Sequence, residues 1–91
     1  MTSTDLNAPD RAAIRQAVVD AILTIAPEAD FATVVPTKSL REQLDLDSFD
    51  YLNVLIALAK RLHVEVPESD YGKVETLDGL IGYLAQRVAR A

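Results

Sequence analysis

One serine lies among acidic residues near the middle of the chain, in the run Asp45-Leu46-Asp47-Ser48-Phe49-Asp50. This run joins an irregular segment to a long apolar stretch, so we expect Ser48 at the exposed N-terminus of a helix. Unpaired backbone amides and the helix dipole favour anions at such an end, so a phosphate group on the Ser48 hydroxyl would be tolerated. The run therefore predicts a hydroxyl that another enzyme could modify.

Other roles for this run are weaker or remain open. No glycine elbow surrounds Ser48, and the sole histidine, His63, lies about four helical turns away, so the pattern disfavours a catalytic nucleophile. His63 itself is expected as a cation near a helix end or as a partly buried ring. Asp45, Asp47 and Asp50 lack the glycine and the final glutamate of a hand-type calcium loop. We expect no catalytic residue and no resident metal; a simple N-cap remains the alternative for Ser48.

Composition limits the class of protein. Ninety-one residues with 49% hydrophobic and 25% charged content fit one globular domain. The net charge is −5, and positions 42–78 hold nine acidic residues against Lys60, Arg61 and Lys73. This acidic region would repel nucleic acid and attract a partner with a basic face. Without cysteine, disulfides, thiolate metal sites and thiol nucleophiles are excluded.

The apolar content and the N-terminal residues predict the location and the domain organisation of the protein. No stretch is apolar enough for a membrane span, and residues 1–8 contain no basic residue of the kind that opens a secretion signal. We therefore expect a soluble, cytoplasmic monomer without stable membrane insertion. Residues 1–8 are predicted to be a flexible segment and residues 9–90 a single domain.

The periodicity predicts an all-α four-helix bundle with a long first loop. Pro9 suits the first turn of one helix, and Pro27 ends it. Ser39 and Glu42 have the spacing of a capping box within the loop that follows. We therefore expect three main helices and one short helix at about residues 69–74. The apolar residues that define the first and last main helices are Ile14, Ala17, Val18, Ala21, Ile22, Ile25, and Leu77, Leu80, Ile81, Leu84, Val88, the latter after a Thr76 cap.

The second main helix, from about Ser48 to Leu62, has an unusually broad apolar surface. At about 100° per residue its polar side is narrow, and the apolar residues cover more than half of the circumference. One core face needs a stripe of only about 100°. This helix is therefore expected to contact something in addition to the core. The members of the polar side are Asp50, Asn53, Ala57, Lys60 and Arg61.

Taken together, these features resemble the acyl carrier protein family, which has an Asp-Ser-Leu signature followed by an apolar helix. Asp47-Ser48-Phe49 is the matching triplet, and the resemblance extends over nearly the whole chain. It implies that Ser48 carries a covalent 4'-phosphopantetheine arm that holds acyl groups as thioesters. It also implies that Asp47 helps a phosphopantetheinyl transferase to place magnesium and coenzyme A. The carboxylate of Asp47 supplies the oxygen ligand that magnesium prefers. The chain itself would not be an enzyme.

The resemblance also implies a surface for acyl-loading and acyl-processing enzymes. It places Leu55, Leu58 and Leu62 in the interior. Glu68 and Asp70 belong to a stretch that lies beside the arm in this family, although an acidic cluster is commonly just a solvated face. The residues assigned to the partner surface are Phe49, Asp50, Leu52, Asn53, Ile56, Glu68 and Asp70.

Three departures from the family pattern bear on the pathway. Asp45 stands where many members have glycine, Phe49 replaces leucine, and Lys60-Arg61 stand where members from fatty-acid synthesis are often acidic. A basic partner surface would be repelled by Lys60 and Arg61. We therefore expect a dedicated lipid or polyketide-type pathway. Two alternatives stay open: a peptidyl or aminoacyl carrier, and an unmodified helical interaction module.

Overall fold

A computed structural model describes residues 11–90, with side chains to residue 88. Within this range the chain forms four α-helices and two 3₁₀ helices, and no β-strand, which confirms the all-α bundle. The predicted flexible segment 1–8 and the first turn at Pro9 lie outside the described residues, and the 9–90 domain boundary stays a prediction. The helices are α1 (Arg11–Ile25), α2 (Leu40–Gln43), α3 (Ser48–Leu62) and α4 (Leu77–Arg90), with 3₁₀ helices at Phe31–Thr33 and Glu68–Val74.

The core lies where α1 packs against both α3 and α4. Each long helix buries residues spaced by three and four positions, so apolar area is removed from water along one stripe of each. The predicted stripes of α1 and α4 supply half of the buried core residues, while Ile25 and Val88 are only half-buried. Side chains with almost no exposure are Val18, Ile22, Leu40, Val54, Leu58, Val74, Leu80 and Leu84.

The long connection between α1 and α3 is held by backbone and side-chain hydrogen bonds. Gln43 Oε1 accepts from the Val35 N–H at 2.7 Å, and Gln43 Nε2 donates to the Val35 carbonyl at 2.9 Å. The Leu40 N–H donates to the Glu75 carbonyl at 2.8 Å, which ties α2 to the segment before α4. Val35 is apolar, yet its side chain is 41% exposed. The Gln43 amide, rather than apolar burial, fixes the chain there.

The predicted capping box at the start of α2 is present in part. Ser39 Oγ accepts from the Glu42 N–H at 3.3 Å, which satisfies one of the free amides of the first turn. Thr76 likewise caps α4, since its Oγ1 accepts from the Gly79 N–H at 2.9 Å. The two predicted caps therefore fix the starts of α2 and α4, which precede and follow α3 along the chain.

Left-handed backbone occurs at both ends of the α3 region. Asp45 has a φ of 55° and His63 a φ of 56°, values that side chains other than glycine rarely adopt. At Asp45 the backbone therefore adopts a conformation that favours glycine. His63 forms the C-cap of α3, where its N–H donates to the Ala59 carbonyl. Its ring is exposed, so the partly buried alternative for His63 is wrong.

A polar cluster joins the second 3₁₀ helix to α4. Asp70 Oδ2 accepts from the Tyr83 hydroxyl at 2.6 Å and from Arg87 Nη2 at 3.1 Å, while Asp70 Oδ1 lies 3.3 Å from Lys73 Nζ. The Tyr83 hydrogen bond, followed by the lysine and arginine charges, lowers the pKa of Asp70 below its ordinary value. The assignment of Asp70 to the partner surface stays a prediction. Its carboxylate is engaged within the fold.

Within residues 11–90, none of the helices has both the length and the apolar character needed to cross a bilayer. The longest, α1 and α3, have 15 residues each, whereas a span takes about 20.

Candidate functional site

Ser48 is the first residue of α3, and its side chain is exposed. The preceding residue, Asp47, is the N-cap, because its Oδ1 accepts from the Asp50 N–H at 2.7 Å. The Ser48 hydroxyl makes no hydrogen bond to any residue that the structure describes. The alternative in which Ser48 is simply the helix cap is therefore wrong. The helix is capped by its neighbour, and the hydroxyl is left accessible to solvent.

A cleft of about 210 Å³ opens beside Ser48. Residues from α2, from α3 and from the second 3₁₀ helix form its walls, so three separate parts of the chain meet there. The lining contains apolar side chains together with hydroxyl and charged groups. The lining residues are Ser39, Arg41, Glu42, Ser48, Tyr51, Leu52, Leu55, Tyr71 and Glu75.

Tyr51 connects the cleft wall to the second 3₁₀ helix. Its ring is buried, and its hydroxyl donates a short hydrogen bond to the Val74 carbonyl. Burial, with a smaller contribution from the charge of Glu75, raises the pKa of Tyr51 to about 12. Tyr51 therefore stays protonated and keeps α3 and the 3₁₀ helix together on both sides of the cleft.

Replacing Tyr51 by phenylalanine should lower the free energy of unfolding by about 1 kcal/mol at neutral pH, because the Val74 carbonyl loses a donor. The folded pKa of Tyr51 is raised above the unfolded value near 10, so its contribution is complete below pH 10 and falls as the pH rises to about 12. Wild type should lose about 2 kcal/mol over that range through this residue. Urea unfolding from pH 8 to 12 checks this, and parallel curves for both proteins would contradict it.

The outward face of α3 exposes large apolar side chains close to Ser48. Phe49 is 70% exposed and Ile56 is 45% exposed, seven positions apart and thus on the same side of the helix. Asn53 is exposed between them, and Leu52 and Asp50 are half-buried. The broad apolar surface of α3 is therefore divided between core and solvent. The residues expected inside, Leu55, Leu58 and Leu62, are buried, buried and half-buried.

The charges around the two ends of α3 differ. At the far end, Arg61 Nη1 lies 3.2 Å from Asp20 Oδ2 of α1, while Lys60 is exposed and takes part in none of the ion pairs among residues 11–88. Surface pairs of this kind contribute less than about 1 kcal/mol. Glu65 and Glu68 are exposed beyond the helix. Arg61 is thus partly neutralised by Asp20, and Lys60 is the freer cation.

Arg41, Tyr71 and Glu75 line the cleft but were not anticipated from the sequence. Arg41 stands seven positions before Ser48 and Tyr71 stands 23 positions after it. Arg41 follows the buried Leu40 in a helix of four residues, too short for a periodic pattern. Only the contact between α2, α3 and the second 3₁₀ helix reveals their role. Within the described part of the chain, carboxylates and histidine form no cluster that could hold a resident metal ion.

Comparisons with known proteins agree with this geometry. Residues 13–84 match the family model of the phosphopantetheine attachment site. An acyl carrier protein of Thermosynechococcus vestitus is 31% identical over 74 residues, which cover 81% of this chain and 86% of the relative. An acyl carrier protein of Syntrophobacter fumaroxidans is 29% identical over 80 residues, or 88% and 98% of the two chains. A solution structure from Anaplasma phagocytophilum, assigned as an acyl carrier protein, shares the fold with a TM-score of 0.70 at 24% identity, over 80% of this chain and 85% of that one.

The fold and the family match define a carrier rather than an enzyme. The chain belongs to the acyl carrier protein family, whose members carry 4'-phosphopantetheine covalently on a serine. An exposed serine hydroxyl at a helix N-terminus beside an open cleft suits the attachment of 4'-phosphopantetheine.

Proposed function

We propose that Ser48 is the attachment site and that the chain presents acyl groups on the arm to partner enzymes. The observation that carries this proposal is the unbonded, exposed Ser48 hydroxyl at the start of α3, beside the cleft and inside the matched range 13–84. When attached, the arm supplies a flexible thiol that holds an acyl group as a thioester. The cleft beside Ser48 then offers a place where part of the cargo is shielded from water.

Asp47 has a second role in this proposal. Its Oδ1 is occupied by the Asp50 N–H, whereas Oδ2 accepts no hydrogen bond from the residues described, and the side chain is exposed. A free carboxylate oxygen next to Ser48 suits a magnesium ion brought with coenzyme A by a phosphopantetheinyl transferase. The same ion would reduce the repulsion between the acidic residues and the incoming phosphate.

The partner enzymes are proposed to dock on the outward face of α3. Phe49 and Ile56 supply exposed apolar area, with Asn53 and the half-buried Leu52 between them. Asp50 adds a negative charge at the Ser48 end, and Glu68 adds another from the second 3₁₀ helix. Asp70 is left out because its carboxylate is held by Tyr83 and Arg87.

Incubation with coenzyme A, magnesium and a promiscuous transferase tests the proposal. The intact mass should increase by one phosphopantetheine group, and peptide mapping should place that group on Ser48. A folded chain that gains no mass under these conditions would instead support the rival, in which α3 docks permanently against another protein as an unmodified module. A peptidyl or aminoacyl carrier would pass this test and differ only in the cargo loaded afterwards.

The dedicated pathway is a separate part of the proposal and depends on the far end of α3. Lys60 and Arg61 would repel a basic docking surface, so a general fatty-acid enzyme should load Lys60→Glu about tenfold faster than the native chain. The single Lys60 variant is the cleaner test, because changing Arg61 also breaks its ion pair with Asp20. Asp20→Asn serves as the control for that pair. Equally efficient loading of native chain and Lys60→Glu would contradict a dedicated set of partners.

The proposal also includes a location in the cytoplasm and a monomeric state. Size-exclusion chromatography of the holo form should give a species near the chain mass of 9.9 kDa. A concentration-dependent dimer would contradict the monomeric state. It would indicate that the exposed face with Phe49 and Ile56 binds a second copy of the chain instead of an enzyme.

A further inference from the structure

Arg41 is the single cation among the nine residues that line the cleft beside Ser48. Its side chain is half-buried, and one nitrogen, Nη1, donates to the Leu46 carbonyl at a long 3.4 Å. It takes part in none of the ion pairs found among residues 11–88. A guanidinium has five N–H donors, so most of the donors of Arg41 are unused. The cleft therefore contains a charged group that lacks an anionic partner.

The acidic residues of the same cleft do not compensate Arg41. Glu42 and Glu75 line the cleft, but both are exposed and neither forms an ion pair with the guanidinium. Water can solvate these carboxylates, while the half-buried guanidinium has lost part of its hydration. An anion entering the cleft would gain charge-assisted, bidentate hydrogen bonds from Arg41.

Tyr71 offers a second polar group on this wall. It is half-buried, lines the cleft, and its hydroxyl makes no hydrogen bond to any other residue in the described range. Leu52 and Leu55 contribute apolar side chains to the same lining. The cleft volume of about 210 Å³ is enough for a short acyl group.

We propose that Arg41 makes this cleft selective for short acyl groups that end in a carboxylate. The inference rests on the proposed attachment at Ser48 and names the class of cargo. The aliphatic part of such a group would contact Leu52 and Leu55, and its carboxylate would accept hydrogen bonds from Arg41 and Tyr71. A plain aliphatic chain of equal size would leave the guanidinium unpaired and would remove further water from it.

The anionic chemistry that suits Arg41 could also come from the phosphodiester on Ser48. The experiment therefore compares three holo proteins: one with the free arm, one with a succinyl group, and one with a 4-methylpentanoyl group. The last two are isosteres, since an isopropyl group replaces the carboxylate. Amide linkage to the arm prevents hydrolysis during the measurement. Each form is prepared in the native chain, in Arg41→Met and in Arg41→Lys.

Thermal unfolding is the readout. In the native chain the succinyl form should melt about 4 to 8 °C above the 4-methylpentanoyl form. Arg41→Met should remove or reverse this order, and Arg41→Lys should keep the order with a smaller gap. Equal melting of the two acyl forms in the native chain overturns the proposal without requiring any variant to fold. A loss caused by Arg41→Met that is the same in all three holo forms would assign Arg41 to the fold or to the phosphate, and would also overturn the proposal. Failure to attach any arm would count against the attachment at Ser48 instead.

Discussion

Replacing Ser48 by alanine should abolish attachment of phosphopantetheine while leaving the fold at least as stable as the native chain. The hydroxyl makes no hydrogen bond within the described residues, and the side chain is exposed, so nothing in the fold depends on it. Alanine also has the higher helix propensity, by up to about 0.5 kcal/mol. Intact mass should show no added group, and urea unfolding should show an unchanged or slightly raised midpoint.

Asp47 provides the matched comparison for Ser48. Asp47→Ala removes the cap of α3 and should cost about 1 kcal/mol of stability while leaving the serine in place. Asp47→Asn retains a side-chain oxygen for the cap but loses the charge, so it should preserve stability and slow the modification through weaker magnesium binding. If Asp47→Asn were modified at the native rate, the proposed role of Asp47 in binding magnesium would be refuted. Modification of Ser48→Ala at another residue would refute the assignment of the site.

Replacing Gly79 by alanine should lower the free energy of unfolding by about 3 kcal/mol, although alanine normally stabilises a helix relative to glycine by about 1 kcal/mol. A Cβ at Gly79 would lie 2.7 Å from the Lys73 carbonyl oxygen and 2.9 Å from Thr76 Oγ1. The first contact is with backbone, which has little freedom to move, and the second is with the group that caps α4. The close approach of the 3₁₀ helix to α4 therefore requires glycine.

Gly72 is the control for this substitution. A Cβ at Gly72 meets no atom within 4 Å, and its φ is not positive, so alanine there should change stability by less than about 0.5 kcal/mol. Denaturant unfolding of both variants, read by far-UV circular dichroism, makes the comparison. If Gly79→Ala were as stable as Gly72→Ala, the approach of Lys73 to the start of α4 would be looser than the structure shows.

The stability of the cleft and the loading of the carrier are linked through the same elements. Tyr51 of α3 holds the Val74 carbonyl, and the second 3₁₀ helix is fixed in turn to α4 by Asp70, Tyr83 and Arg87. Variants that loosen these contacts should widen the cleft while leaving Ser48 exposed. We therefore expect them to affect the cargo more than the attachment of the arm.

The sequence by itself determined the class of fold and predicted Ser48 as the serine that is modified. The spacing of Ile14, Val18 and Ile22 in α1, and of Leu77, Leu80 and Leu84 in α4, is local information that a helix of 3.6 residues per turn converts directly into one buried face. The caps at Ser39 and Thr76 depend on neighbours three positions away, so they too could be predicted.

Only the tertiary structure decided that Asp70 is engaged by α4 and that Tyr71 and Glu75 line the same cleft as Ser48. These outcomes depend on the packing of segments far apart in the chain, and a charged side chain reads the same in the sequence whether a distant partner neutralises it or not. Periodicity reports which face of a helix is buried. It carries no information about what the opposite wall of a cleft contributes.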